Sequence, residues 1–133
     1  MIVVDTSAIV AMAFGEPERD LFFRTLQQTD KALISTVSML EARMVVHGRR
    51  GQRAVVLVDD LLHLRPFEIV APGTAETDAA YSAFVAFGKG SGHPANLNFG
   101  GLFSYALAKV RGLPLLYKGD DFSQTDVVSA ALI

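Results

Sequence analysis

The sequence contains no cysteine, which excludes disulfide bridges and any metal site that needs thiolate ligands. Long apolar runs are also missing, and none approaches the ~18 residues that a membrane span requires. The apolar N-terminal segment carries Asp5 and lacks the basic start of a signal peptide. These absences favour a protein of the reducing cytoplasm that has no membrane partner.

An excess of positive charge is missing as well. Twelve Lys and Arg residues stand against 14 Asp and Glu residues, which gives a net charge of −2. Proteins that bind nucleic acids usually have a basic balance, so the overall charge argues mildly against that role. A nuclease built on carboxylates is still compatible with this balance, because its acidic and basic residues occupy different places.

The 133 residues are enough for one domain, which we assign to 1–133. Four short apolar segments read as buried parallel strands, and helical patterns separate them. The predicted strands are 2–4, 32–35, 67–70 and 115–117, with a further edge strand at 127–128. This alternation predicts an α/β fold, a three-layer α/β/α sandwich with a four- to five-stranded parallel sheet.

Helix signals fill the segments between these strands. Ser38 and Glu41 have the spacing of a capping box, which predicts a helix start there, and Gly51 is expected to end that helix. Further helices are predicted over 55–64, 74–87 and 99–110. The segment 88–98, rich in Gly, Pro and Asn, is predicted to be a loop.

Acidic residues follow the predicted strand ends. Asp5 comes after the first strand, Asp120 and Asp121 come after the fourth, and Glu41 lies in the helix after the second. Ligands of open α/β sheets bind beyond the carboxyl ends of the strands, so one edge of the sheet can gather Asp5, Glu41 and Asp120. Clustered carboxylates are tolerated mainly beside a cation. Oxygen ligands without Cys or paired His favour Mg²⁺, or Mn²⁺ as a substitute, over Zn²⁺, and such ions support phosphodiester cleavage.

Each acidic residue also has a purely structural interpretation. Asp5 can cap a helix, Glu41 can complete the capping box, and Asp120 with Asp121 can form a polar turn. Spacing alone does not decide between a metal site and these interpretations.

Four segments, taken in order, resemble the PIN-domain toxins called VapC. They read VVDTSAIVAM, STVSMLEAR, GKGSGHPANLNFG with FSYALAK, and LLYKGDDFSQTD. The resemblance covers essentially the whole chain. It implies a Mg²⁺-dependent endoribonuclease that cleaves structured RNA, forms a homodimer and is blocked by a small partner antitoxin.

The resemblance also implies roles for individual residues. Asp5 matches the first acidic ligand and Glu41 the second. Asp120 matches a more variable fourth position, and Asp121 is the adjacent residue that shares or replaces its role. The implied catalytic residues are therefore Asp5, Glu41 and Asp120, and the implied metal ligands are these three with Asp121. Thr6 or Ser7 matches the polar residue beside the first acid.

One position departs from the family. Where the family has Asn-Phe-Gly-Asp, this chain ends the motif with Gly101, which has no ligand atom. Three explanations stay open: a natural member with impaired catalysis, a change introduced into a cloned toxin, or compensation by a neighbour. Ser104, one turn further on, is a candidate for holding a water molecule there, although a neutral hydroxyl is a weak substitute for a carboxylate.

Basic residues suggest contacts with RNA. Lys89 and His93 lie in the Gly-rich loop, which either touches RNA phosphates or shapes the site. Arg43 belongs to a basic cluster within 43–53, which forms either a solvated helix face or a contact with the RNA backbone.

Two other functions compete with a ribonuclease. The first is a non-catalytic PIN module that binds RNA or antitoxin without cleavage, and Gly101 is the feature that favours it. The second is a receiver-like phosphotransfer domain. That class needs paired acids near the first strand and a lysine after the last; Lys118 is present, but the first strand offers only Asp5.

Overall fold

The structure is a computed structural model that describes residues 1–131. In this range the elements are β1 (Ile2–Val4), α1 (Thr6–Ala13), α2 (Arg19–Gln27), β2 (Ala32–Ser35), α3 (Thr36–Arg50), α4 (Val56–Leu62), β3 (Phe67–Val70), α5 (Thr74–Phe87), α6 (Phe99–Arg111) and β4 (Leu115–Leu116). Every helix described is too short or too polar to span a lipid bilayer.

The four strands form one parallel sheet in the order β3-β2-β1-β4. This confirms the predicted α/β/α sandwich in its four-stranded form. The edge strand expected at Val127 and Val128 does not form. Instead, Leu115 donates one backbone hydrogen bond to the Val128 carbonyl (2.8 Å) and pairs with Ser129 in an isolated bridge.

Side chains that alternate along the strands build an apolar layer on each face of the sheet. Ile2 and Val4 point to the face covered by α1 to α4, where they pack with Ala42 and Val46 of α3. Val3 and Leu115 point to the opposite face, which α5 and α6 cover. Both faces are therefore shielded from water, as parallel sheets require.

Two helix boundaries differ from the prediction. The hydroxyl of Ser35 accepts a hydrogen bond from the Val37 amide (3.1 Å), so Ser35 caps α3. The capping-box prediction for Ser38 and Glu41 is therefore wrong, since both residues lie inside the helix. Residues 52–55 form a 3-10 turn, which shortens the helix predicted over 55–64.

The sheet order creates a switch point between β1 and β4. From β1 the chain proceeds outward to β2 and β3, and then it returns to the other side of β1 as β4. The Asp5 amide donates to the Leu116 carbonyl (2.9 Å), which holds the ends of these two strands together. Ligands of such sheets bind at this point, in the crevice beyond the strand ends.

Candidate active site

A cleft of about 390 Å³ opens at the carboxyl edge of the sheet, at the switch point. It is lined by carboxylates, hydroxyls and amides together with two basic side chains. The charged residues of the lining are Asp5, Glu16, Glu41, Asp121, Arg49 and Lys118. The cleft thus combines an acidic floor with cationic groups, a combination that suits a metal ion and a phosphate.

Asp5 is the most buried of these carboxylates, with 5% of its surface exposed. Its Oδ2 accepts hydrogen bonds from the amide (2.9 Å) and hydroxyl (2.7 Å) of Ser7, which makes Asp5 the N-cap of α1. Its Oδ1 accepts from the Ser104 hydroxyl (2.5 Å) of α6. The structural interpretation of Asp5 as a cap is therefore correct, and it holds together with a place in the cleft.

The hydroxyl groups around Asp5 form a directed chain. Ser104 gives its only hydroxyl hydrogen to Asp5, so the 3.1 Å contact between Ser38 and Ser104 must be donated by Ser38. The Ser7 hydroxyl in turn accepts from the Lys118 amide (3.0 Å). Three hydrogen bonds therefore fix the orientation of the Asp5 carboxylate.

Glu41 reaches the cleft from α3 and is half-buried. Burial raises the pKa of its carboxyl group, the nearby Thr6 hydroxyl partly offsets this, and the charge of Asp5 adds to the increase. Asp5 and Glu41 are therefore close enough to interact as two like charges, which is the condition under which a cation is favoured between them.

Of the described residues after β4, Lys118, Gly119, Asp121 and Phe122 line the cleft, whereas Asp120 does not. Within residues 1–131, no three histidine or acidic side chains lie close enough together to hold a metal ion. The expected convergence of Asp5, Glu41 and Asp120 is thus seen for two of the three residues. The functional roles predicted for these residues stay predictions.

Lys118 is held in place by two acids from the segment after α1. Its Nζ lies 3.2 Å from Glu16 Oε1 and 3.3 Å from Glu18 Oε1. Burial lowers the pKa of Lys118, but the neighbouring Glu16 and Glu18 carboxylates together raise it more, so the net shift is upward.

The residues predicted to contact RNA lie outside this cleft. Arg43 donates to Asp59 (2.9 Å) along a separate surface groove. Lys89 is exposed in the loop before α6, and the His93 ring packs edge-on against Phe87 (centroids 4.9 Å apart) while its Nδ1 accepts from the Ala95 amide. Contact between these three residues and RNA stays a prediction.

Gly101 is buried and lines the cleft at the start of α6. Its amide donates to the Asn98 side chain (2.8 Å), which caps the helix. A Cβ atom at this position would lie 3.1 Å from Asn98 Oδ1 and 3.5 Å from Phe122 Cζ, so the capping side chain of Asn98 would have to shift by a few tenths of an ångström to admit it. Ser104 does not fill this place, because its hydroxyl is bound to Asp5 and Ser38.

The donor atoms of the cleft suit a hard divalent cation. Asp5, Glu41 and Asp121 offer carboxylate oxygens, and neither histidine nor cysteine is among the lining residues. Mg²⁺ commonly binds through one or two carboxylates and keeps several waters. A site with two inner carboxylates and one at the rim therefore fits such an ion.

Some residues of the site are not identified by the sequence analysis. Arg49 lines the cleft, although the sequence assigns it only to a basic cluster, and Lys118 enters only with the receiver-like alternative. The position of Lys118 directly after β4 could have identified it as a site residue, because the carboxyl ends of the parallel strands meet at the edge of the sheet where the cleft opens. Ser38 and Ser104 are 66 residues apart, and no sequence signal joins them.

Residues 2–128 match the PIN domain family. Ribonuclease VapC30 of Mycobacterium tuberculosis is 42% identical over 131 residues, covering 98% of this chain and 99% of that protein. Ribonuclease VapC of Mycolicibacterium smegmatis is 41% identical over 128 residues, covering 96% and 98%.

Two solved structures have a similar fold. The M. tuberculosis toxin VapC20, described as cleaving the sarcin-ricin loop, superposes with a TM-score of 0.77 at 19% identity and covers 96% of this chain and 97% of its own. VapBC2 from Rickettsia felis, bound to a promoter DNA fragment, gives a TM-score of 0.75 at 16% identity over 97% and 96% of the two chains.

The raised pKa of Glu41 leads to a prediction about stability. A carboxyl group whose pKa rises on folding holds its proton more tightly in the folded state. Ionised Glu41 therefore lowers stability at neutral pH, and it has no such effect below the pKa of the unfolded chain. We expect Glu41→Gln to raise the melting temperature at neutral pH in EDTA, with the gain vanishing near about pH 3. The exposed Glu68→Gln serves as control, and an equal gain in both variants would contradict the prediction.

Proposed function

This chain belongs to the PIN-domain family of VapC ribonuclease toxins, and we propose that it hydrolyses RNA with the help of Mg²⁺ and that Gly101 reduces its activity. The observation that carries the proposal is the pairing of Asp5 and Glu41 in one oxygen-lined cleft at the switch point. Mg²⁺ bound there would activate water and stabilise the leaving oxygen of the cleaved phosphodiester.

The residues of the chain divide this work. Asp5 and Glu41 would hold the cation, with Asp121 reaching it from the rim directly or through water. Ser7 and Ser104 fix the Asp5 carboxylate from two sides, so that it needs little reorganisation when substrate binds. Lys118 and Arg49 would contact RNA phosphates at the edge of the cleft.

Gly101 weakens this site in two ways. The cleft has one carboxylate fewer than the family motif supplies, so its attraction for a cation is lower. Water would take the place of the missing ligand on a bound ion, but it would not fix the position of that ion. Misplacement by about 1 Å costs on the order of 10²-fold in rate. We therefore expect feeble metal binding and slow cleavage from the chain as it stands.

A non-catalytic PIN module is the second candidate, and Gly101 is the observation that favours it. In that case the cleft binds RNA or antitoxin and no cleavage occurs at any Mg²⁺ concentration. Restoring the acid at position 101 separates the two candidates.

One prediction concerns this restoration. Gly101→Asp should tighten Mg²⁺ and Mn²⁺ binding and raise RNA cleavage by about 10²-fold, because it returns a charged ligand to the cleft. It should also make the protein more toxic when it is expressed without antitoxin. The measurements are calorimetry with each ion and a cleavage assay on total RNA at several Mg²⁺ concentrations.

Gly101→Asn is the matched control, since it has nearly the same shape without the charge. It should bind metal more weakly than Gly101→Asp and cleave no faster than the parent chain. If the glycine form is already fully active and Gly101→Asp changes nothing, position 101 is not a ligand position.

Another prediction concerns Lys118. Lys118→Met should weaken RNA binding in EDTA and reduce the slope of log Kd against log salt by about 0.7, the value for one lost phosphate contact on a single strand. Lys31→Met is the control, because Lys31 pairs with Glu68 next to the amino ends of the strands. Equal effects of the two variants would show that Lys118 does not contact RNA.

We also propose two protein partners, a second copy of the chain and a small antitoxin. Exposed apolar side chains on α5 and α6, namely Tyr81, Phe84, Val85 and Phe99, support association. The acidic floor of the cleft suits a basic side chain of the antitoxin, which would pair there with Asp5 or Glu41. Light scattering at micromolar concentration should give twice the chain mass of 14.3 kDa.

A further inference from the structure

We propose that Gly100 is a positioning residue that fixes where the Glu41 carboxylate lies in the cleft. This inference rests on the proposed metal-binding role of Glu41 and adds the residue that shapes its position. Gly100 is adjacent to Gly101, but the two glycines affect the site differently. Gly101 lacks a ligand atom, whereas Gly100 leaves room for the Glu41 carboxylate.

The Glu41 carboxylate occupies the space above the Gly100 Cα atom. A Cβ atom built there would lie less than 3.0 Å from Cδ, Oε1 and Oε2 of Glu41, closer than real Cβ atoms approach other atoms. All three atoms of the carboxyl group are equally near, so the flat face of the carboxylate lies against the glycine. Other glycines of the helices differ: Gly48 faces open space, and Gly101 has its nearest neighbour at 3.1 Å.

In this face-on packing the glycine lies outside the plane of the carboxylate. Carboxylate oxygens accept hydrogen bonds in the plane of the group, along their lone pairs, and cation ligation uses the same lone pairs. Gly100 occupies only one face, so it limits where Glu41 can sit without competing for its ligands. A side chain at position 100 would fill that place and push the carboxylate away.

The two helices cannot simply separate to make room. Glu41 lies on α3 and Gly100 on α6, and one turn from Glu41 the Ser38 and Ser104 hydroxyls join the same helices at 3.1 Å. Ser104 also binds Asp5, so separating the helices would break the hydrogen bonds that hold the first carboxylate. The easier response to a larger residue at position 100 is therefore a rotation of the Glu41 side chain.

Rotation of the Glu41 side chain distinguishes a positioning role of Gly100 from a role in helix packing alone. The atoms that the methyl group of a Gly100→Ala variant would meet are the far end of a flexible side chain and not backbone. Alanine also favours a helix more than glycine does. Gly100→Ala should therefore keep or raise the melting temperature while it displaces Glu41, so that stability and metal binding change in opposite directions.

The experiment compares the parent chain with Gly100→Ala, Gly48→Ala and the double variant Glu41→Asp/Gly100→Ala. We measure melting temperature, the Kd for Mn²⁺ by calorimetry, and the side-chain carboxyl ¹³C shift of Glu41 in metal-free protein. Gly100→Ala should shift the Glu41 resonance and weaken Mn²⁺ binding by about 10- to 100-fold, the range for residues that orient a ligand. Gly48→Ala should leave the Glu41 resonance and the Mn²⁺ affinity at the parent values. The double variant should regain part of the affinity, because aspartate is one methylene shorter.

Two results would overturn the inference. The first is a Gly100→Ala variant whose Glu41 resonance and Mn²⁺ affinity match those of the parent. The second is a Gly100→Ala variant that melts well below the parent and gains nothing from Glu41→Asp, as expected for a glycine needed only for packing. If the parent and Gly101→Asp both fail to bind Mn²⁺ while the Glu41 resonance still moves in Gly100→Ala alone, the inference stands and the metal part of the proposed function fails.

Discussion

The fold and the cleft both depend on one buried charge, the carboxylate of Asp5. A carboxylate in a residue that is only 5% exposed is tolerated only when hydrogen bonds replace its hydration. Ser7 at the start of α1 and Ser104 of α6 supply them, and Ser38 of α3 supports Ser104. The hydrogen bonds that stabilise Asp5 therefore also set the distances between α1, α3 and α6, and with them the shape of the cleft.

The position of Glu41 follows from this arrangement, and it has an energetic cost. Burial and the charge of Asp5 raise its pKa, so the metal-free site is strained by like charges, and Gly100 leaves the space that the carboxylate fills. A third carboxylate at position 101 would add to this repulsion. Under the proposed function, the missing carboxylate at Gly101 reduces the repulsion in the metal-free cleft and, for the same reason, its attraction for a cation.

Much of the fold is predictable because parallel strands and their ends have local signals. Short apolar runs predict all four strands, and Asp5 is expected at the switch point because it follows the first of them. The start of α3 is missed because Ser35 and Ser38 both have capping chemistry, and only backbone geometry selects Ser35. The contact between Ser38 and Ser104 and the packing of Glu41 against Gly100 depend on how closely α3 approaches α6. That approach is a tertiary property, which periodicity and spacing do not report.

Anomalous diffraction from crystals soaked in Mn²⁺ tests most directly whether Asp5 and Glu41 act together on one divalent cation. We expect one peak at the switch point, within about 2.0–2.6 Å of a carboxylate oxygen of Asp5 and of Glu41, or bridged to one of them by a single water. Gly101→Asp crystals should show the same peak at higher occupancy. A peak bound only at Asp120 and Asp121, with none between Asp5 and Glu41 at saturating Mn²⁺, would show that the two carboxylates do not share a cation.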